Sequence, residues 1–312
     1  MLRIDFINVG DGDAILLRHE ESGLLHTVLV DCGRPFVEFT PGSQRNSCID
    51  YLLRAGVEKI DLMLVSHLHL DHIGGAMAVL HHIPVARMVA LSFPPESACW
   101  ICPPLRAHKP VVGLCDVLNL FQDVVSFAKS RGTQCEEARA GNISLGNLTL
   151  DVYLPDAELA ARQSALFRML YSGGMPPDEE IETISKERNA SSLLLRVEYA
   201  GRSVLLTGDS YASCWQDRGV PSCDILKLPH HGDGKSMTES LLRSLSPAVA
   251  VISCQNDPVQ KKDRPNLEVL SLLLQEVPQV FCTENRAFPF YPAATRDAVR
   301  VVVQADGSIV CP

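Results

Sequence analysis

The sequence predicts a mixed α/β (α+β) protein, and three observations support this fold class. Short apolar runs of strand length recur along the chain, several with alternating apolar and polar residues. Longer stretches with helical periodicity lie between them. Polar clusters rich in histidine and aspartate follow several of the predicted strands. Side chains in such turns can converge without being covered by the sheet, so we expect the functional site there.

The composition is that of an ordinary globular protein, with 312 residues of which 46% are hydrophobic and 21% charged. A net charge of -9 argues against a broad basic surface for duplex DNA. Eleven scattered cysteines favour free thiols in a reducing compartment. We recognise neither a signal peptide nor an apolar run long enough to span a membrane. We therefore expect a soluble, cytoplasmic protein with no membrane partner.

The N-terminal part is predicted to be an antiparallel meander of three strands followed by a helix. The strands lie at residues 2–9, 14–18 and 27–31, and the helix at residues 47–56. Asp11 and Asp13 occupy the first turn of the meander. They could be metal ligands, but Asp-Gly turns are common, so we favour a role in the turn and in supporting the ligands from behind.

A histidine-rich turn follows a buried strand predicted at residues 59–65. It contains His67, His69, Asp71 and His72, which are three imidazoles and one carboxylate within six positions. Imidazole and carboxylate suit zinc, and also manganese or iron. A polar turn that happens to be rich in histidine is the alternative. The density of ligands directly after a strand favours a metal site.

Further possible ligands lie at strand ends in the second half of the chain. Asp209 follows a strand predicted at residues 203–207, and His230 and His231 follow one at residues 224–228. Glycine beside each allows the backbone to approach closely. Together with the histidine-rich turn, these residues supply enough hard ligands for a two-metal site.

Residues 1–312 are predicted to form a single domain with two excursions. The first is a loop and a long helix at residues 93–131. The second is a polar, helix-prone connection at residues 157–188, which we interpret as an insertion at the mouth of the site. The other predicted elements are strands at residues 85–92, 191–199, 248–253, 279–282 and 300–303, a hairpin at 143–154, and helices at 75–82 and 267–276.

Five ordered motifs carry a resemblance to a known family. The pattern Ser-His-x-His-x-Asp-His-x-Gly-Gly at residues 66–75 resembles the signature of the metallo-β-lactamase fold superfamily. Residues 6–14, 189–193, 205–209 and 226–232 resemble the β-lactamase-like domain of ComEC competence proteins. The resemblance extends from residue 2 to about residue 284, and the membrane channel and the oligonucleotide-binding domain of those transporters are not recognised. We therefore expect a stand-alone form of the domain.

The resemblance implies an αβ/βα four-layer sandwich with two divalent metal ions, Zn or Mn, at one edge. It implies these ligands: His67 and His69 for the first metal, Asp71 and His72 for the second, and Asp209 as the bridge between them. One histidine of the pair completes the second site. We favour His230 because it lies nearer the strand end, which leaves His231 as a possible ligand or general acid.

Two departures from the family pattern concern the first metal and the substrate. Many superfamily members place a first-metal histidine where this chain has residues 189–192, which implies weaker binding of that metal. ComEC-like proteins tend to carry His-Pro-His where this chain has Arg264-Pro265-Asn266. The residues that we interpret as candidates for substrate binding are Asn189, Ser191, Lys235 and Asn266.

The ligand set predicts hydrolysis by a dinuclear site. Two cations about 3.5–4 Å apart share a water whose lowered pKa supplies a metal-bound hydroxide near neutral pH, and this hydroxide attacks phosphorus or a carbonyl carbon. Asp71 and Asp209 would orient the water as well as hold metal. The general acid is not identified, and its candidates are Lys227, Lys235, Arg264 and the second histidine of the pair. A solvated surface charge is the simpler role for each of these cations.

The favoured function is a metal-dependent phosphodiesterase that acts on single-stranded nucleic acid or on a small, nucleotide-like phosphoester. The ComEC resemblance favours a nuclease, whereas the acidic net charge argues against one. Two alternatives stay open. One is a carboxylic ester or lactam hydrolase on the same fold, because a fold does not determine its substrate. The other is a metal-binding partner protein without catalytic activity.

Overall fold

Strands and helices alternate along the chain much as the apolar patterns predict. The structure is a computed structural model that describes residues 1–256, 264–285 and 294–311. The strands are β1 (Leu2–Ile7), β2 (Ile15–Glu21), β3 (Leu24–Val30), β4 (Ile60–Leu64), β5 (Val85–Ala90), β6 (Gln134–Glu137), β7 (Gly141–Leu145), β8 (Leu148–Tyr153), β9 (Leu194–Tyr199), β10 (Arg202–Leu206), β11 (Ile225–Lys227), β12 (Val249–Ile252), β13 (Gln279–Cys282), β14 (Glu284–Asn285), β15 (Ala294–Thr295), β16 (Ala298–Val303) and β17 (Ile309–Val310). The helices are α1 (Cys48–Arg54), α2 (Leu70–Ile73), α3 (Ala76–His82), α4 (Lys109–Ser130), α5 (Ala157–Tyr171), α6 (Asp178–Glu187), α7 (Ala212–Trp215), α8 (Glu239–Leu245) and α9 (Leu267–Glu276).

Two large mixed sheets repeat the same plan. The first has the strand order β17-β16-β1-β2-β3-β4-β5-β6, and the second has the order β13-β12-β11-β10-β9-β8-β7. In the first sheet the pairs are antiparallel as far as β3 and parallel from β3 to β6. In the second they are antiparallel from β7 to β10 and parallel from β10 to β13. Each sheet therefore has parallel strands whose carboxyl ends share one edge.

Three apolar clusters separate the layers of the fold. The cluster between the sheets contains Ile15 and Leu17 of β2 together with Leu150 of β8. Leu16 points to the opposite face, as the period of two requires, and joins the cluster beneath α1, α3 and α4. A third cluster packs α8 and α9 against the outer face of the second sheet. The fold is thus an αβ/βα four-layer sandwich, which confirms the predicted fold class.

The two predicted excursions pack together on the outside of the first sheet. Residues 157–188 fold as α5 and α6, and the break between them lies where the glycines and prolines of residues 173–177 predict it. Helix α6 packs against α4. The hydroxyl of Tyr171 in α5 donates a hydrogen bond of 3.0 Å to the carbonyl of Leu118 in α4. These segments form one helical wall beside the carboxyl ends of the strands.

Helix α4 corrects the expectation that no apolar run is long enough to span a membrane. Its 22 residues are long and apolar enough to cross a membrane by length and composition, with a mean hydropathy of 1.5. However, 56% of that apolar window is buried within the protein, which is the pattern of a core helix. Val117, Phe121 and Val124 are buried, in agreement with the predicted core-facing stripe.

Candidate metal centre

The predicted ligands converge at the edge where the parallel strands end. Asp31 follows β3, and the histidine-rich turn follows β4. Across the interface between the sheets, Asp209 follows β10, and the histidine pair follows β11. Since the carboxyl ends of neighbouring parallel strands lie side by side, side chains distant in sequence become neighbours there.

The first ligand group contains His67, His69 and Asp209, whose ligand atoms lie within 4.8 Å of one another. Nε2 of His67 lies 2.9 Å from Nδ1 of His69 and 4.0 Å from Oδ2 of Asp209. Burial lowers the pKa of His67 well below its usual value. Burial and the nearby charge of Arg188 lower the pKa of His69 to about 3. Both imidazoles are therefore neutral and able to bind a metal near neutral pH.

The second ligand group contains Asp71, His72 and His231, again with ligand atoms within 4.8 Å of one another. Oδ2 of Asp209 lies 3.3 Å from Nε2 of His72 and 3.6 Å from Nε2 of His231. Asp209 thus lies between the two groups, in the position of a carboxylate that could bridge two cations.

The histidines of the second group are held by hydrogen bonds to their other ring nitrogens. Nδ1 of His231 lies 3.0 Å from the carbonyl of Ser253, and Nδ1 of His72 lies 2.8 Å from Oδ2 of Asp31. A carbonyl can only accept, so Nδ1 of His231 carries the proton. The neutral ring then presents its Nε2 lone pair to the cluster, as a metal ligand must.

Buried ligand atoms without partners test whether these residues fit metal ions. Among the described residues, Nε2 of His72, Nε2 of His231 and Oδ1 of Asp209 are buried and have no hydrogen-bond partner. Such atoms cost free energy unless something pairs with them. A cation would pair with all three, and imidazole with carboxylate is a donor set for zinc or manganese. The residues therefore fit two divalent ions.

The carboxylates and imidazoles of the cluster shift one another's pKa values. Burial alone would raise the pKa of Asp209, but the charges of His72 and His231 outweigh burial and hold it well below its usual range. Burial would likewise raise the pKa of Asp71, but the nearby imidazoles of His231 and His72 lower it. Burial opposes protonation of His72 and of His231, yet Asp209 and other carboxylates raise both pKa values. Without metal, this group is a compact network of opposite charges.

The histidine pair requires a correction, because the geometry favours His231 over His230 as the ligand. Both residues have left-handed backbones, with φ of 47° and 55°, which are strained for residues other than glycine and send the two rings in different directions. Nε2 of His230 lies 2.8 Å from Nη2 of Arg264 and 3.1 Å from Nδ2 of Asn189. Since a guanidinium can only donate, this nitrogen already accepts a hydrogen bond. His231 is the member of the pair that joins Asp71 and His72.

Lys227 also differs from the expectation of a surface charge or a general acid. Its side chain is fully buried and forms an ion pair with Asp13, and Nζ lies 3.2 Å from the carbonyl of Gly208. The Asp13 carboxylate lies 4.0 Å from Nδ1 of His72 and 3.9 Å from Nδ1 of His231. Asp13 and Lys227 thus support the second group from behind, which is the role favoured for Asp13.

Two glycines of the histidine-rich motif permit a close approach of the backbone. A Cβ atom on Gly75 would lie 2.2 Å from the carbonyl oxygen of Cys32, and one on Gly74 would lie 2.3 Å from Cδ of Pro35. These contacts bring the segment after β3 against the turn after β4. Glycine is required at both positions by this packing.

A cavity of about 610 Å³ opens beside the ligands. It is lined by His69, Asp71 and Asp209 on one side and by residues of α4 on the other, including Leu120. Its walls also carry four cationic side chains: Arg34, Lys186, Arg188 and Arg264. Both predicted excursions contribute to the lining, and a place at the mouth of the site is what we expected of residues 157–188.

The four predicted substrate-binding residues have different environments. Asn189 lines the cavity and donates to the hydroxyl of Tyr211 at 3.2 Å. Ser191 is buried in a 3₁₀ turn and donates to the carbonyl of Arg188 at 2.7 Å, so it does not face the cavity. Lys235 is exposed, 6.0 Å from the ring of Tyr211, at the rim. Asn266 is the N-cap of α9 and accepts from two backbone amides, a structural role that suits its position before that helix.

Several residues of the site were not identified from the sequence. Asp31 orients His72 through a hydrogen bond. Like Asp209, it follows a predicted strand, and this position in the sequence could have identified it as a residue of the site. Arg188 donates to the carbonyl of Leu68 at 2.8 Å and so fixes the turn between the first two histidines. The sequence feature that could have identified Arg188 is its place beside Asn189. No sequence feature that we recognise points to Arg34 or Tyr211.

A comparison with protein families matches the part of the chain that contains the histidine-rich turn. Residues 7–94 match the family model of the metallo-β-lactamase superfamily. These residues carry the pattern of a metallo-β-lactamase superfamily domain. The matched range includes Asp31 and the whole histidine-rich turn. The resemblance identified from the motifs is thereby confirmed.

Two curated proteins illustrate the similarity of this superfamily domain to longer chains. ComE operon protein 3 of Bacillus subtilis (strain 168) is 26% identical over 301 residues, which cover 90% of this chain and 32% of that protein. Recombination protein 2 of Haemophilus influenzae is 38% identical over 72 residues, which cover 22% of this chain and 9% of that protein. This chain thus spans about a third of the length of the first relative.

A solved structure shows the same fold. The metallo-β-lactamase fold protein YhfI from Bacillus subtilis matches with a TM-score of 0.50 and 12% sequence identity, over 92% of this chain and 98% of that one. At this identity the likeness concerns the fold alone.

Proposed function

We propose that this protein is a phosphodiesterase that uses two divalent cations, zinc or manganese, and acts on single-stranded nucleic acid or a nucleotide-like phosphoester. The observation that carries the proposal is a cavity beside two ligand groups, with Asp209 between the groups and four cationic side chains in the cavity lining. A phosphodiester is an anion, and a cationic wall next to the ligands would hold it there. A neutral ester or lactam would gain nothing from that wall.

The arginines of the cavity divide into two kinds. Every guanidinium nitrogen of Arg188 donates to protein: Nε and Nη2 to Ser185, and Nη1 to Leu68. Arg188 would therefore contribute charge and hold the ligand turn. Arg34 and Arg264 keep 38% and 27% of their side chains exposed, so they can reach the phosphate oxygens of a substrate.

The cations, when bound, would lower the pKa of a water molecule and stabilise negative charge on the phosphoryl oxygens. Asp71 and Asp209 would hold the cations and orient that water. Tyr211 lines the cavity, and its hydroxyl could donate a hydrogen bond to the leaving oxygen. Burial raises the pKa of that hydroxyl, so it would donate this bond without readily giving up its proton. Asn189 donates to the hydroxyl oxygen and leaves its hydrogen free for such a bond.

The test is hydrolysis of an activated diaryl phosphodiester and of end-labelled single-stranded DNA by protein loaded with manganese or zinc. Asp209→Asn should lower turnover of both by roughly a thousandfold, because the shared ligand is lost. Asp123→Asn is the matched control, because it makes the same substitution at an exposed aspartate of α4. It should leave turnover of both substrates unchanged. Turnover of the small diester alone would indicate a nucleotide-like substrate. No turnover of either by metal-loaded protein would contradict the proposal.

We also propose a cytoplasmic location. All eleven cysteines are free thiols, as expected in a reducing compartment. Fractionation of cells that produce the protein from its own gene would test this location, and recovery with the membrane fraction would contradict it.

A further inference from the structure

The segment of residues 34–45, here called the aromatic loop, connects the cavity to α1. It carries Phe36 and Phe39, which are 85% and 70% exposed. These are the highest exposures of any aromatic side chain in the described parts of the chain. Burying a phenylalanine is ordinarily favourable, so a pair left in solvent marks a surface that something covers.

The aromatic loop is anchored at both ends. Nε of Arg34 donates to the carbonyl of Asp11 at 3.1 Å. At the other end, Arg45 forms a fully buried ion pair with Glu284 at 2.6 Å and donates to the carbonyl of Glu38 at 2.9 Å. A loop held in this way displays its aromatic rings with little conformational entropy left to lose on binding.

The aromatic loop is continuous with the cationic side of the cavity. Pro35 packs against Gly74, within the motif that holds the ligands. Arg34 and Arg264 lie 3.3 Å and 3.8 Å from the carboxylate of Asp11, which keeps both guanidinium groups at the cavity wall. Phe36 and Phe39 follow Arg34 by two and five positions, so both exposed rings lie on the same short loop as an arginine that lines the cavity.

We propose that the aromatic loop binds the bases of a single-stranded nucleic acid whose phosphate lies in the cavity. This inference rests on the proposed function and specifies its substrate. Phenylalanine faces stack on unpaired bases of any sequence, while arginines hold the neighbouring phosphates. A duplex has no unstacked bases to offer, and a small diester has no row of bases to stack on the two phenylalanines. The loop therefore favours a strand over a mononucleotide.

The test measures binding of a fluorescein-labelled, phosphorothioate-linked oligothymidylate of about twelve nucleotides, which resists hydrolysis. Phe36→Ala/Phe39→Ala should raise its Kd at least about tenfold, as judged by fluorescence anisotropy. Leu24→Ala/Leu25→Ala is the matched control. These leucines are 66% and 56% exposed, but they begin β3 at the end opposite the ligands. Their replacement should leave the Kd unchanged.

Two further comparisons separate stacking from apolar contact. Phe36→Leu/Phe39→Leu should bind as weakly as the alanine pair, and the unsubstituted protein should bind an abasic strand as weakly. Tight binding in either case would overturn the proposal, as would wild-type affinity in the alanine pair. Turnover of the small diester by unsubstituted protein tests the proposed function separately. If turnover is absent but binding depends on the phenylalanines, the result supports the proposed role of the aromatic loop and contradicts only the proposed hydrolysis.

Discussion

The two ligand groups differ in how firmly their histidines are held. In the second group, His72 and His231 each have Nδ1 fixed by an oxygen, from Asp31 at 2.8 Å and from Ser253 at 3.0 Å. In the first group, Nδ1 of His67 has one hydrogen-bond partner among the described residues, the hydroxyl of Ser66 at 3.1 Å. His69 uses its Nδ1 to face His67 itself. The second group is therefore the more rigid of the two.

This difference indicates two sites of unequal affinity. An imidazole already oriented by a carboxylate or carbonyl loses less freedom on binding a metal, and its ligand nitrogen is more basic. The first group also has one histidine fewer than the family pattern, since Asn189 lies beside His230 instead of completing that group. We expect tight binding at the second group and weaker, more exchangeable binding at the first. Four predictions test this comparison.

The largest effect is expected for His231→Ala, which removes a ligand of the second group. Metal content should fall from two equivalents per chain to one or fewer. His230→Ala is the matched control, because Nε2 of His230 accepts from Arg264 instead. It should keep both equivalents. Inductively coupled plasma mass spectrometry of desalted protein measures both variants, and the reverse pattern would restore His230 as the ligand.

Lys227→Met should destabilise the protein by roughly 3–5 kcal/mol, because it leaves Asp13 buried without its partner. Lys59→Met is the control, since Lys59 pairs with Asp61 while 63% of its side chain is exposed. It should change stability by about 0.5 kcal/mol or less. Denaturant unfolding of metal-free protein measures both. Equal changes in the free energy of unfolding would contradict a stabilising role for the buried ion pair of Lys227 and Asp13.

Asp31→Asn should weaken binding at the second group by roughly 10- to 100-fold and leave the first group unchanged. Asparagine tolerates the left-handed backbone of this residue, where φ is 58°, so the loss would report the side-chain bonds of Asp31, to His72 and to Ser66. Competition with a fluorescent chelator gives the two affinities. If the substitution lowered only the affinity of the weaker site, the assignment of the tight site to the second group would be wrong.

The smallest effect concerns protons released on metal binding. Burial lowers the pKa of both histidines of the first group, to about 3 for His69, so they hold no proton at pH 7. Burial opposes protonation of His72 and His231, but neighbouring carboxylates raise their pKa values, so they must give up protons to a metal. Affinity of the second group should therefore fall as the pH falls from 7 to about 5.5, while that of the first changes little.

Titration calorimetry in buffers of different ionisation enthalpy counts these protons. Proton release at the tight site but not at the weak site is expected. Release from the weak site alone would contradict the assignment of the groups.

Much of the fold could be predicted because apolar periodicity reports burial directly. The strands at the start of each half were predicted within a few residues, as was α4. Strand β6 was missed because Gln134–Glu137 is a short polar edge strand with no apolar alternation. Helix α8 was missed because it has only seven residues, although Thr238 caps it.

The site was predicted where chemistry is local in sequence and missed where it depends on distant contacts. The residues from His67 to His72 could be predicted as ligands from their close spacing in the sequence. The choice between His230 and His231 depends on two left-handed backbones that no pattern reports. The roles of Lys227 and Arg188 depend on partners 214 and 120 positions away, so their burial could not be foreseen.

The number of metal ions bound per chain tests the central claim most directly. Protein loaded with manganese or zinc and then desalted should retain two equivalents, one tightly and one more weakly held. Asp209→Asn should retain one or fewer, because this carboxylate belongs to the first group and its Oδ2 lies 3.3 Å from Nε2 of His72 in the second. One equivalent or none in unsubstituted protein would contradict a two-metal site.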